Sequence, residues 1–141
     1  MLGRIQTRDN LLKRRVLNTA AEALCPLCGL EEETCSHLLF SCRYALQVWY
    51  ECYAWLGIST AQIPLLEVHI LQFASTGGSK GQKLGEIAIW LAIIWSMWGL
   101  RNRVIFKGGE VDTAQMLEQI QLKSWQWLTA RLVDFSYSWF E

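Results

Sequence analysis

CPLCGLEEETCSHLLFSC, residues 25–42, is the stretch whose reading decides the fold. Cys25 and Cys28 are separated by two residues, the spacing at which two thiolates on one turn reach a single tetrahedral ion, and Gly29 eases the sharp backbone path behind them. His37 and Cys42, with four residues between them, complete a Cys3His set of the kind that closes structural zinc sites. Cys35 in place of His37 gives a four-cysteine site with different loop lengths, and spacing alone leaves both sets open. Either way four protein ligands leave no position for water, so the expected metal is structural and not catalytic. A lone cysteine reads best as a small buried apolar residue; a cluster this dense reads as ligation.

Outward from this knuckle the chain reads as helical. Upstream, Leu2 to Leu24 sets Leu11, Leu12, Val16 and Leu17 among basic and polar residues, which predicts one or two short helices, with Thr7 as the N-cap of the turn that begins at Arg8. Pro26 disfavours helix at Cys25 and opens a turn. Downstream, apolar residues from Leu38 to Trp55 recur at three- and four-residue steps, predicting a helix from Ser36 that carries the last ligands and stops at Gly57. A loop to Pro64 and a short apolar stretch, Leu65 to Phe73, follow. His69 in that stretch reads as packing or surface, and Cys52 as core.

Residues 75–83, rich in Gly, Ser and Lys, read as a linker between a zinc-binding domain, 1–74, and a tryptophan-rich helical segment, 84–141. Ile87 to Leu100 is uncharged and almost wholly apolar, too short on its own to span a bilayer and therefore expected as a buried helix. Lys107 to Gly109 ends it, and Val111 to Phe135 is the expected last helix. The fold class is thus mainly α, a Cys3His knuckle embedded in a helical domain and followed by a tryptophan-rich hairpin.

The chain's 141 residues carry no net charge, which gives no global field toward nucleic acid or an anionic membrane. Locally, Arg4, Arg8, Lys13, Arg14 and Arg15 form a basic arm opposed by Asp9 alone, a candidate for RNA or DNA phosphate contact. The acidic loop Glu31 to Glu33 would repel phosphate on its side. Eight tryptophans exceed what a small domain readily buries, so some are expected at a face that a protein partner covers. The polar start suggests no signal peptide, and five clustered cysteines suit metal ligation in a reducing, intracellular compartment. No membrane and no small-molecule substrate is expected, and no nucleophile, base and orienting group stand at a recognisable spacing, so the chain is expected not to be an enzyme.

The runs RDNLLKRRVL, CPLCG, EEET, HLLFSC, ALQVWY and WLG together resemble the zinc-binding domain downstream of the reverse transcriptase in plant non-LTR, LINE-type retrotransposons and the host proteins descended from them. IIWSMWGLRNRVIF resembles the C-terminal part of the same kind of protein. The resemblance implies Cys25, Cys28, His37 and Cys42 as ligands, favouring His37 over Cys35, and it marks Trp49, Trp98, Arg101, Asn102 and Phe106 as characteristic positions. It implies no catalysis: the polymerase's paired aspartates are absent, and Asp112, Glu118 and Asp134 lie on helical sequence and not on the sheet a ribonuclease H needs.

Overall fold

The computed structural model describes residues 5–74 and 79–138, with side chains through residue 130. Arg4 lies outside the described residues. Among the described residues five α-helices follow in order: α1 (Arg8–Lys13), α2 (Arg43–Leu56), α3 (Leu66–Ala74), α4 (Lys80–Lys107) and α5 (Met116–Ser138). A 3-10 turn, Ala20–Ala23, and a π turn, His37–Ser41, lie between α1 and α2. Among the described residues the only β-type pairing is an isolated antiparallel bridge between Leu24 and Glu32. The mainly helical reading holds.

Each boundary has a local cause. Gly57 ends α2 and Gly108 ends α4, both in the left-handed conformation that costs glycine nothing. Ser79 and Gln82 form a reciprocal capping box at the start of α4. With that cap the helix begins at Lys80, inside the 75–83 segment, and its 28 residues make it long and apolar enough to cross a membrane by length and composition. Thr7 has the extended backbone of an N-cap, but its hydroxyl bonds the Asp9 carboxylate and not a backbone N–H. The last helix starts at Met116, later than the expected Val111, because Asp112 accepts the Ala114 N–H in a turn that competes with helix.

The core sits where the π turn, α2, α3 and α4 meet. Leu38, Leu39 and Phe40, all in the π turn, are wholly buried, as are Trp49 of α2 and Ile93 and Met97 of α4. The Trp49 indole N–H donates to the Leu39 carbonyl at 2.7 Å, tying α2 to the π turn. At the centre stands His69, 2% exposed, with ring centroids of Trp49 at 4.4 Å and Phe40 at 4.7 Å. Its Nδ1 accepts from the Trp90 indole at 2.9 Å, so the proton of the neutral ring sits on Nε2, facing the Tyr53 hydroxyl and Gln62. His69 is therefore core with every polar atom matched, a role its neighbours in sequence do not reveal.

Burial lowers the His69 pKa to about 4, because charging the ring costs desolvation, and a second ring proton would face the Trp90 N–H donor. The unfolded chain takes up that proton near pH 6.5, so stability is full above 6.5 and falls as pH drops toward 4. The fall attributable to His69 is about 3 kcal/mol. Denaturant titrations from pH 7.5 to 4 should show it, with a shallower fall in His69→Gln; equal slopes in parent and variant would refute the assignment.

Candidate metal centre

Two local structures bring the four expected ligands together. The first is a tight turn: the Gly29 N–H bonds the Cys25 carbonyl at 2.8 Å and Gly29 takes φ of 67°, folding Cys28 back beside Cys25. The second is the π turn. His37 and Cys42 are five residues apart, and on an α-helix that separation rotates two side chains by about 140°. The turn instead closes with the Cys42 N–H on the His37 carbonyl at 2.7 Å, and the two donor side chains end within 4.8 Å of each other. The helix expected to run unbroken from Ser36 is thus two pieces. Cys42 is extended at its junction (ψ of 139°), and α2 starts only at Arg43.

The Sγ atoms of Cys25, Cys28 and Cys42 and a ring nitrogen of His37 all lie within 4.8 Å of one another. A zinc ion with bonds of about 2.3 Å to sulfur and 2.0 Å to nitrogen needs donors about 3.5–3.8 Å apart, so the set closes on zinc with only small side-chain rotations. Cys28 Sγ lies 3.3 Å from His37 Nε2, which marks Nε2 as the coordinating nitrogen. The other ring nitrogen, Nδ1, lies 3.2 Å from a Glu31 carboxylate oxygen, but off the line of a hydrogen bond. The Glu31 side chain is 72% exposed and free to swing into line, the outer carboxylate that metal-bound histidines commonly use. The Cys42 thiol is held below its ordinary pKa by its hydrogen bond with Cys25, and the same bond, with burial, raises the Cys25 thiol.

Cys35 does not join the cluster. It is half-buried against the core, and burial together with the charge of Asp9 raises its thiol pKa. Of the two candidates that spacing left open, the structure gathers His37 with the three cysteines. Cys52, buried on α2 with its pKa pushed up to about 12 by desolvation, is core as expected.

The acidic loop needs a larger correction. Glu31 and Glu32 are exposed, but Glu33 is completely buried and cannot repel anything in solution. It takes a bidentate pair from Arg101 of α4, Nη2 to Oε1 at 2.8 Å and Nε to Oε2 at 3.0 Å, and also accepts the Arg8 backbone N–H at 2.8 Å. Arg101 in turn donates to the Gln6 carbonyl, with the Trp98 ring 4.6 Å from its guanidinium carbon. One buried node therefore joins the metal loop, the N-terminal segment and α4. A groove of about 510 Å³ opens beside it, lined among others by Arg8, Trp98, Asn102 and Phe106. Four of the five positions the resemblance marks gather here, while Trp49 lies in the core.

The basic arm is less uniform than its sequence. Arg8 is half-buried with its guanidinium on the Leu24 carbonyl, and Lys13 pairs with Asp9 at 3.1 Å. Arg14 and Arg15 are exposed.

The fold and this donor set define a helical module with a Cys3His cluster placed to hold a metal ion. Residues 1–49 match the family described as zinc-binding in reverse transcriptase, a match that spans roughly a third of the chain and takes in all four ligands. No curated protein and no solved structure matches the chain.

Proposed function

We propose that the chain is a non-enzymatic structural module of reverse-transcriptase type, in which zinc fixes the loop of residues 25–42 so that a helical scaffold can pack on it. The observation that carries this reading is the convergence of four donors, three cysteines and one histidine, onto one point beside the core. Cys25, Cys28, Cys42 and His37 would hold the ion, which supplies cross-linking and no open coordination position for a substrate. The wider resemblance points to descent from a LINE-type element of plants, and thiolate ligation suits an intracellular, reducing setting.

The test is elemental analysis of protein purified without added metal. One zinc per parent chain is expected, retained in Cys35→Ala and lost in His37→Ala. Absence of zinc from the folded parent, or its loss with Cys35→Ala, would overturn the reading.

RNA or DNA contact is the finer part of the proposal. Among the described residues Lys13, Arg14 and Arg15 are the exposed cations of the arm, and three phosphate contacts give a logarithmic salt slope of only about −2 to −3, hence weak and sequence-independent binding. Titration of a labelled single strand at several salt concentrations checks this; binding that ignores salt, or that survives Arg14→Ala/Arg15→Ala unchanged, would remove the arm from the proposal.

A further inference from the structure

The groove beside the Arg101–Glu33 pair has walls of different chemistry. One is aromatic: Trp98 and Phe106 stand about two turns apart along α4, Trp98 with the Arg101 guanidinium 4.6 Å from its ring centre and Phe106 76% exposed. Between them in the lining is Asn102, whose side-chain oxygen accepts from Arg101 Nη1 at 3.1 Å. That bond orients the amide and leaves its NH2 group as a pair of donors, unpartnered among the described residues. The other wall belongs to the N-terminal segment. Leu11 and Leu17 line it, and the turn between them is closed by the Val16 and Leu17 N–H groups on the Leu11 carbonyl, at 2.9 and 3.4 Å. Within that turn Arg15 takes the left-handed conformation, φ of 58°, which side chains other than glycine seldom adopt. Arg14 and Arg15 are thus exposed on a turn whose two ends form the wall, and Arg8 lies in the wall itself. Against these three cations the lining sets the carboxylate of Glu22, which accepts the Asn18 N–H, while Arg101 is already neutralised by Glu33.

We propose that this groove takes an unpaired nucleobase of single-stranded RNA or DNA, stacked on Phe106 with an acceptor edge on the Asn102 amide, while the adjoining phosphates meet Arg14 and Arg15. The proposal rests on the nucleic-acid reading of the basic arm and names what that arm would hold. The groove's volume of about 510 Å³ falls within the roughly 300–1,000 Å³ of pockets that enclose a small organic group. Exposed aromatic rings flanked by cations are the pairing that binds single strands, the rings taking bases and the cations the backbone. An acidic amphipathic peptide would meet the cations and the apolar wall, but it brings no flat face edged with acceptors for Phe106 and Asn102 together. A duplex keeps its bases inside the stack and offers the groove nothing. The arm by itself would favour the duplex, whose phosphates are denser, so strand preference separates the groove from the arm.

The test is fluorescence anisotropy of the full chain with labelled oligouridylate, with oligodeoxyuridylate, and with the deoxy strand paired to its complement. Single strands are expected to bind more tightly than the duplex. Phe106→Leu, which keeps an apolar side chain but no ring, should weaken strand binding about fivefold or more, and Phe106→Trp should retain it. Duplex binding should be the same in all three proteins. Phe106 is exposed, so neither change disturbs the core, and matching far-ultraviolet circular dichroism checks that. The two single strands differ at the 2′-hydroxyl, and either order of affinity supports the groove and names the nucleic acid that fills it. Equal binding of strand and duplex, unchanged in Phe106→Leu, would overturn the groove and leave the arm standing. Binding of neither would overturn both. A leucine-rich acidic peptide that shifts the Trp98 and Phe106 ring resonances when the strands do not would assign the groove to a protein and overturn the proposal.

Discussion

Chelation of zinc is expected to abolish the tertiary structure and not merely to loosen one loop. Leu38, Leu39 and Phe40, between ligands His37 and Cys42, are wholly buried in the main core, so freeing the two ligands withdraws the centre of the packing. A structural zinc site contributes about 10 kcal/mol or more to folding, and a domain of this size holds only about 5–15 kcal/mol in total. With excess chelator, the cooperative thermal transition should vanish and tryptophan emission should shift to the red as Trp49 and Trp90 meet water. Zinc added back should restore both and magnesium should not, because magnesium prefers oxygen ligands. Cys28→Ser should behave as the chelated parent does. A transition unchanged by chelation would show that the helices stand without the metal.

The second large effect belongs to the buried pair. Glu33→Gln keeps the shape and an acceptor for the Arg8 N–H but leaves the Arg101 charge without a counter-ion at 5% exposure. Breaking such a pair from one side costs about 3–5 kcal/mol. For a domain of this length that is a drop of about 10 °C in melting temperature. Arg101→Met should cost a similar amount by stranding Glu33. The double variant should cost clearly less than the two singles together, since no charge is then left alone, and the shortfall measures the coupling. Two singles that simply add would show that the 2.8 Å contact does no more than fill space. Zinc content should stay at the parent level in every variant that folds, because no ligand is touched.

Between them these results would assign separate tasks to the two halves of the loop. The cysteines and histidine close it on the metal, and Glu33 delivers the closed loop to α4. The backbone enforces the connection: the Cys25 N–H bonds the Glu31 carbonyl at 2.7 Å and the Glu33 N–H bonds the Ala23 carbonyl at 2.8 Å. These bonds pin the strand-like segment that carries the carboxylate beside the ligands.

What the sequence determined by itself was local in origin. Zinc ligation needs donors at short, fixed spacings around a turn, so Cys25, Cys28 and Cys42 announce themselves, and spacing narrows the fourth donor to two neighbours. Glycines in the left-handed conformation end α2 and α4 for reasons confined to one residue each, which is why both stops were legible. The tertiary structure alone decided among equivalents. His37 rather than Cys35 faces the other thiols because a π turn, with its i to i+5 bond, rotates that pair into register, and periodicity in a sequence does not announce such a turn. Of three consecutive glutamates only Glu33 is buried, its partner lies 68 positions away on α4, and His69 finds its match in Trp90. The free energy of burying a charge or an imidazole is set by what surrounds it in space. Nothing adjacent in the chain records that surrounding.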